Sequence, residues 1–336
     1  MSPLPWSEPG WRGEVETWVG TQFRRLGITS DGPLEEMRLR PWSALFRAPS
    51  SAGKLYFKAV PPGLEHEVRL SVGLATWYPD SVLPVLAADE ARGWMLLPDG
   101  GERAREGMSA AEMATAWPKL LGDYAGMQVD CAERVEHLLA MGVPDRRLYR
   151  IPELIDEALM LADRSTRINS NPLTPAELQR LTDLAPSILA CAKRLAAFGL
   201  PETIQHDDLH DGNVLVQDGH ALIFDWGDAS IAHPFMSLRV ALECLAERLG
   251  LRFEDATGAL APSFAAYLDR WKPFAPMDVL LRAYEDSKPL ALLLRVLTWD
   301  LALTHADESE RDRDADFIVK LFRALLQLWD SPGGNA

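Results

Sequence analysis

Gln205-His206-Asp207-Asp208-Leu209-His210-Asp211-Gly212-Asn213, followed by Val214-Leu215-Val216, the turn Gln217-Asp218-Gly219-His220, Ala221-Leu222-Ile223-Phe224 and Asp225-Trp226-Gly227-Asp228, is the stretch that organises the chain. Two apolar runs around an Asp-Gly pair predict a β-hairpin. Polar residues crowd both of its outer ends. Asp208 lies two residues after His206, Asn213 five after Asp208, and Asp225 twelve after Asn213. The pattern is H-x-D-x-x-x-x-N, then a hairpin, then D-aromatic-G. Phosphoryl transfer from a magnesium nucleotide needs these groups. One carboxylate orients and deprotonates the acceptor hydroxyl. An amide oxygen and a second carboxylate supply the hard oxygen ligands that magnesium favours. A hairpin is a rigid way to bring the last two together.

Each residue has a plainer reading on its own. Asp and Asn cap turns by bonding their own backbone. His206 and His210 are four apart and would share a helix face as zinc ligands, with Asp225 completing a hydrolase site. Gly212 and the surrounding turn residues argue against a helix, so His206 is expected to be a buried brace for the loop. Three polar residues at these spacings outweigh the turn-cap reading.

Around this stretch the texture of the chain changes. Residues 34–60 read as β-structure: Ser43–Arg47 is one strand. Lys54–Val60 is another, with Leu55, Phe57 and Ala59 on one face and Tyr56, Lys58 and Val60 on the other. A helix is predicted over 64–76, and strands over Val82–Ala87 and Trp94–Pro98. Beyond Gly101 the pattern is helical. Ser109-x-x-Glu112 and Thr174-Pro175-x-Glu177 are capping boxes. The second opens a helix that should reach Phe198 and stop at Gly199. Segments 233–249, 278–304 and 314–329 are helical in spacing. At 336 residues the chain exceeds most single cores, so two lobes are expected. One is a small β-rich lobe over 1–99 and the other a helical lobe over 100–336. The fold class is α+β.

The catalytic stretch resembles the aminoglycoside phosphotransferase and choline kinase group of the protein-kinase-like superfamily. Those proteins read H-G-D-x-H-x-x-N and then I-D-[FW]-[GE], and the match includes His210. Asp207 stands where Gly is usual and Asp211 where Pro is usual. The resemblance implies a bilobal protein-kinase-like fold, with ATP and Mg2+ bound between the lobes. It implies that Asp208 is the catalytic residue, that Asn213 and Asp225 hold the metal, and that Lys58 touches the α and β phosphates. Glu67 would hold Lys58, with Glu65 as its rival. Leu97 would lie in the hinge beside adenine. A glycine-rich phosphate loop is missing; Trp42-Ser43-Ala44-Leu45 occupies its place, with Ser43 as a phosphate donor. Ala52-Gly53-Lys54-Leu55 is no Walker A loop, because Ala48 and Leu55 occupy positions that need Gly and Ser or Thr.

Apolar residues make up 47% of the chain and charged residues 25%, which is globular usage. The formal charge of -15 opposes nucleic acid and anionic membrane surfaces, and favours a neutral or cationic small hydroxylated acceptor. The three cysteines form no C-x-x-C pair, which argues against a disulfide framework and a thiolate zinc site. Met-Ser-Pro-Leu-Pro does not read as a signal peptide, and Leu290–Leu303 is interrupted by Arg295 and Asp300, so a cytoplasmic protein is expected. The reading from sequence is an ATP-dependent small-molecule kinase. The alternative is a catalytically weak nucleotide-binding regulatory protein on the same fold.

Overall fold

The computed structural model describes residues 4–168, 171–217 and 220–330. Its contacts divide the chain into two compact units that do not follow chain order. The first comprises Met1–Gly107, Met141–Val143 and Asp211–Gly227; the second comprises Met108–Ala140, Pro144–His210 and Asp228–Ala336. The expected division at residue 99 did not separate 211–227 from the helical part.

The first unit is built on an antiparallel sheet of β1 (Glu35–Arg40), β2 (Ser43–Ser50), β3 (Gly53–Ala59), β4 (Ala87–Asp89) and β5 (Trp94–Pro98), in the order β1-β2-β3-β5-β4. Alternation along β2 and β3 fixes the two faces. Phe46 pairs with Phe57, and Phe57 with Leu96, on one face. Helix α1 (Trp11–Leu26) covers that face, burying Trp11, Val15, Trp18 and Val19 at helical spacing against Phe46, Phe57 and Trp94. On the opposite face Leu45 pairs with Lys58, and Lys58 with Met95. Period-two geometry thus puts a lysine on the face away from the aromatic core. Helix α2 (His66–Trp77) follows β3.

The expected strand over Val82–Ala87 forms differently. Pro84 has no N–H to give to a ladder. The chain before it leaves the large sheet, and Leu83 N donates to Ile223 O at 3.1 Å. Only Ala87–Asp89 pairs with β5. Helix α1 was not expected; Gly13 and Gly20 weaken its local propensity, and its apolar stripe is completed only by the sheet. The first unit also contains β6 (Glu102–Arg103), which pairs with the predicted hairpin. The hairpin's strands are residues 214–217 and 220–223. Asp218 and Gly219, expected to make its turn, lie outside the described residues.

The second unit is helical. Both capping boxes form at Ser109 and Thr174, and Gly199 ends the Pro175–Phe198 helix in the left-handed conformation at φ 69°. Two further helices, Ile151–Ser165 and Thr257–Asp269, were not anticipated. Thr203–Gln205 and Ser230–Ala232 form a two-stranded ribbon that brackets the polar stretch. The Met277–Ala302 helix buries every side chain from Pro289 to Thr298, Arg295 included. Among the described residues no helix is long and apolar enough to cross a membrane.

Candidate active site

In the first unit, strand β3, helix α2 and the end of the hairpin converge on one cavity of about 310 Å³, the lower end of the size range of ligand pockets. Lys58, Glu67, Leu97 and Asp225 line it together with Arg38 and Tyr56. Lys58 Nζ donates to Glu67 at 2.5 Å and to Asp225 at 2.7 Å. Glu65 does not compete: it accepts from the Gly63 N–H at 2.7 Å. The Lys58 and Glu67 side chains are only 10% and 4% exposed, so this is a buried pair with a partly exposed third member. Burial pulls the Lys58 ammonium down, but the charges of Asp225 and Glu67 outweigh it and hold the lysine protonated. Burial raises the Glu67 carboxyl against the opposing pull of Lys58.

Asn213 and Asp225 flank the same end of the hairpin. Val214 pairs with Ile223, and the Phe224 N–H donates to Asn213 O at 3.1 Å. Asp225 sits at φ 67°, a left-handed conformation uncommon for a residue with a Cβ. Strain of this kind costs about 1–3 kcal/mol and persists only where the surroundings over-determine it. Here the ladder on one side and Lys58 on the other fix it. Gly227 packs closely against α2: a Cβ there would lie 3.0 Å from Glu67 Oε2, so the carboxylate that holds Lys58 would have to give way. His66 Nε2 bonds Gly227 O at 3.0 Å, tying α2 to the same segment. Asn213 and Ser43 do not line the cavity. Ser43 Oγ is buried with no hydrogen-bond partner among the described residues.

The second unit holds Asp208 within a separate network. Arg295 Nη2 bonds Asp208 Oδ1, and Arg295 Nη1 bonds Asp228 Oδ2 at 2.9 Å. His210 Nε2 lies 3.3 Å from the other Asp208 oxygen. Burial pushes the Asp208 carboxyl up, but Arg295 and His210 prevail and hold it well below the usual carboxylate range. Asp207 adopts φ 60°, which explains why a glycine suits this place in related motifs. Its carboxylate accepts from Thr298 Oγ1 at 2.5 Å and lies 3.9 Å from both Arg146 and Arg295. Burial raises its pKa against both guanidiniums. His206 is fully buried, and its Nδ1 takes the Asp208 N–H at 3.3 Å. That is the bracing role expected of it, and a contact that orients the loop.

Sequence reasoning missed Arg295, Thr298 and Arg146. Arg295 was visible only as a charge interrupting an apolar run. A charge in the centre of a fully buried helix segment needs a counter-ion, and that was the available signal. Asp228 is the second partner of Arg295. The other departure, Asp211, lies 3.3 Å from Arg105, whose backbone N–H donates to Asp211 O at 3.1 Å.

Residues 120–277 match the phosphotransferase enzyme family model, a segment that contains the polar stretch at 206–228. No curated protein sequence matches the chain. Solved structures share its fold at low identity. A choline/ethanolamine kinase family protein from Mesorhizobium loti is 17% identical with a TM-score of 0.58, covering 90% of each chain. Choline kinase from Cryptosporidium parvum is 11% identical with a TM-score of 0.61, covering 93% of this chain and 96% of its own. Macrolide 2'-phosphotransferase from Brachybacterium faecium is 17% identical with a TM-score of 0.54, covering 91% and 98%. The match to the phosphotransferase enzyme family model thus covers 158 of the 336 residues, and over its length the chain shares the kinase-like fold of these structures.

Proposed function

We propose that the protein transfers the γ-phosphoryl group of ATP to a hydroxyl of a small molecule. The observation that carries this reading is the Lys58–Glu67–Asp225 constellation at the wall of one cavity. Tyr56, Met95 and Leu97 give that cavity an apolar wall for a base. Lys58, oriented by Glu67, offers a fixed positive charge to the phosphates. Asn213 and Asp225 present amide and carboxylate oxygens from one hairpin end, a donor set that fits Mg2+. The ion supplies charge neutralisation at the phosphates. Asp208, ionised by Arg295 and His210, accepts a hydrogen bond from the acceptor hydroxyl and orients it. Its depressed pKa makes it a weak base, which suits a loose transition state in which the hydroxyl proton leaves late. The regulatory alternative is not favoured.

The acceptor we infer is neutral or cationic. The net charge of -15 favours it, although Arg295 and Arg146 neutralise part of the Asp207–Asp208–Asp228 cluster. The second unit offers a cavity of about 1070 Å³ that reaches Arg146, beside Asp207, with Leu154, Met160, Leu297 and the exposed carboxylate of Glu157 in its wall.

Two isosteric variants test the assignment. Asp208→Asn should fold normally, bind Mg-ATP nearly as well as wild type and lose at least about 100-fold in turnover, within the range for a positioned proton acceptor. Asp225→Asn should weaken the magnesium dependence of nucleotide binding. Calorimetric titration of Mg-ATP, with turnover over a panel of hydroxylated acceptors, reads both. Full activity in Asp208→Asn would refute the role given to it.

A further inference from the structure

The turn between β1 and β2 has no means of cradling a phosphate with its backbone. It reads Arg40-Pro41-Trp42-Ser43, and no glycine occurs between Gly32 and Gly53. Pro41 has no N–H, and anion nests need successive N–H groups. Ser43 does not line the cavity. Lys58 is already shared between two carboxylates.

The register of β1 supplies a different device. Glu36 pairs with Phe46, but the next pair is Arg38 with Leu45, so the strand bulges by one residue. A regular ladder would pair Met37 with Leu45 and Arg38 with Ala44, which shares the aromatic core face with Phe46. The bulge instead turns Arg38 to the face of Leu45 and Lys58, and Arg38 lines the cavity with both. Bulges characteristically re-aim a side chain in this way. Arg38 Nε is buried and has no hydrogen-bond partner among the described residues. An unsatisfied buried donor costs about 1–3 kcal/mol, more when charged. Burial of an Arg donor without an acceptor, at a cavity wall, indicates that a ligand supplies the acceptor.

We propose that Arg38 binds the phosphate oxygens of the nucleotide and so does with a side chain what a glycine-rich loop does with backbone. The proposal rests on the nucleotide reading above. Its ligand class is a nucleoside di- or triphosphate, and adenosine lacks the recognised group.

The test is calorimetric titration of Mg-ATP, Mg-ADP and adenosine into wild type, Arg38→Met, Arg38→Lys and Arg40→Ala. Arg40 lies exposed on the same strand and removes the same charge outside the cavity. Arg38→Met should lose at least tenfold in affinity for ATP and ADP, keep its adenosine affinity within twofold, and so lower the ATP-to-adenosine ratio. Arg38→Lys should lose less, and Arg40→Ala should match wild type. The ratio is independent of any general loss of folded protein, which thermal melting records in parallel. Unchanged ATP affinity in Arg38→Met overturns this inference alone, as does an equal loss for ATP and adenosine. Wild-type protein that binds neither ATP nor ADP overturns the nucleotide reading itself and this inference with it.

Discussion

In the first unit Lys58 lies between Glu67 and Asp225; in the second Arg295 lies between Asp208 and Asp228. Both are buried cations, each bridging two carboxylates, yet the proposed function assigns the acting role to opposite members. Around Lys58 the cation faces the cavity, and Glu67 serves to orient it. Around Arg295 the proposed function makes the carboxylate of Asp208 the acting group, and the guanidinium helps to hold it ionised. The carboxylates also differ in depth. The Glu67 side chain is 4% exposed, whereas Asp208 and Asp228 are 24% and 31% exposed. At Asp208 and Asp228 water can therefore take over from a lost arginine more readily than at Glu67 from a lost lysine.

The largest expected effect follows from that difference. Lys58→Met leaves Glu67 as a buried charge without its nearest cation. Breaking such a pair costs about 3–5 kcal/mol. Chemical denaturation should show a loss near the lower figure, with Mg-ATP affinity down at least about tenfold, or 1.4 kcal/mol. The double variant Lys58→Met/Glu67→Gln should recover most of the stability and none of the affinity. If the double variant is as unstable as the single one, Glu67 is not the group left stranded.

Among the described residues, the second unit also buries a titratable group with no counter-ion. His233 is fully buried, and burial lowers its pKa to about 3. Its Nδ1 accepts the Phe235 N–H at 3.3 Å, so the neutral ring is the one the fold uses. The unfolded ring takes a proton near pH 6.5 while the folded ring does not. Stability is then full above that pH and falls as the pH drops from about 6.5 towards about 3, by about 1.4 kcal/mol per unit. Over pH 6.5 to 5 this amounts to roughly 2 kcal/mol. In His233→Gln this contribution to the slope should vanish; an unchanged slope would assign the acid sensitivity to other groups.

The smallest effect is expected at Arg295. Arg295→Met removes the guanidinium that holds the Asp208 carboxyl low, so the acidic limb of the turnover profile should move up by about one pH unit, worth 1.4 kcal/mol. Turnover at pH 8 should change less than turnover on the acidic limb itself. An acidic limb that stays in place would show that His210 alone keeps Asp208 ionised.

Much of this was legible because it is local. The spacing of Asp208, Asn213 and Asp225 is written in consecutive residues, and the hairpin that joins the last two follows from two apolar runs. Both helix starts at Ser109 and Thr174 follow from four-residue boxes. Lys58 faces away from the aromatic core because a strand alternates. The preference for Glu67 over Glu65 followed from continuity with the apolar face of α2, and the contact to Lys58 forms there. The missed helices are of another kind. The Trp11–Leu26 stripe has meaning only against Phe46, Phe57 and Trp94, which come from other segments.

By itself, then, the sequence determined the kinase-like order of elements, the polar stretch at 206–228 and the residue types available for phosphoryl transfer, because period, turn chemistry and short spacings act over a few residues. Tertiary structure alone decided which charges are neutralised and which are free. Arg295 reaches Asp208 across 87 residues of chain, and Lys58 reaches Asp225 across 167. The bulge that brings Arg38 to the cavity depends on how β1 registers against β2. Charge pairing is a matter of distance in space and of local dielectric. Neither quantity exists until the chain is packed.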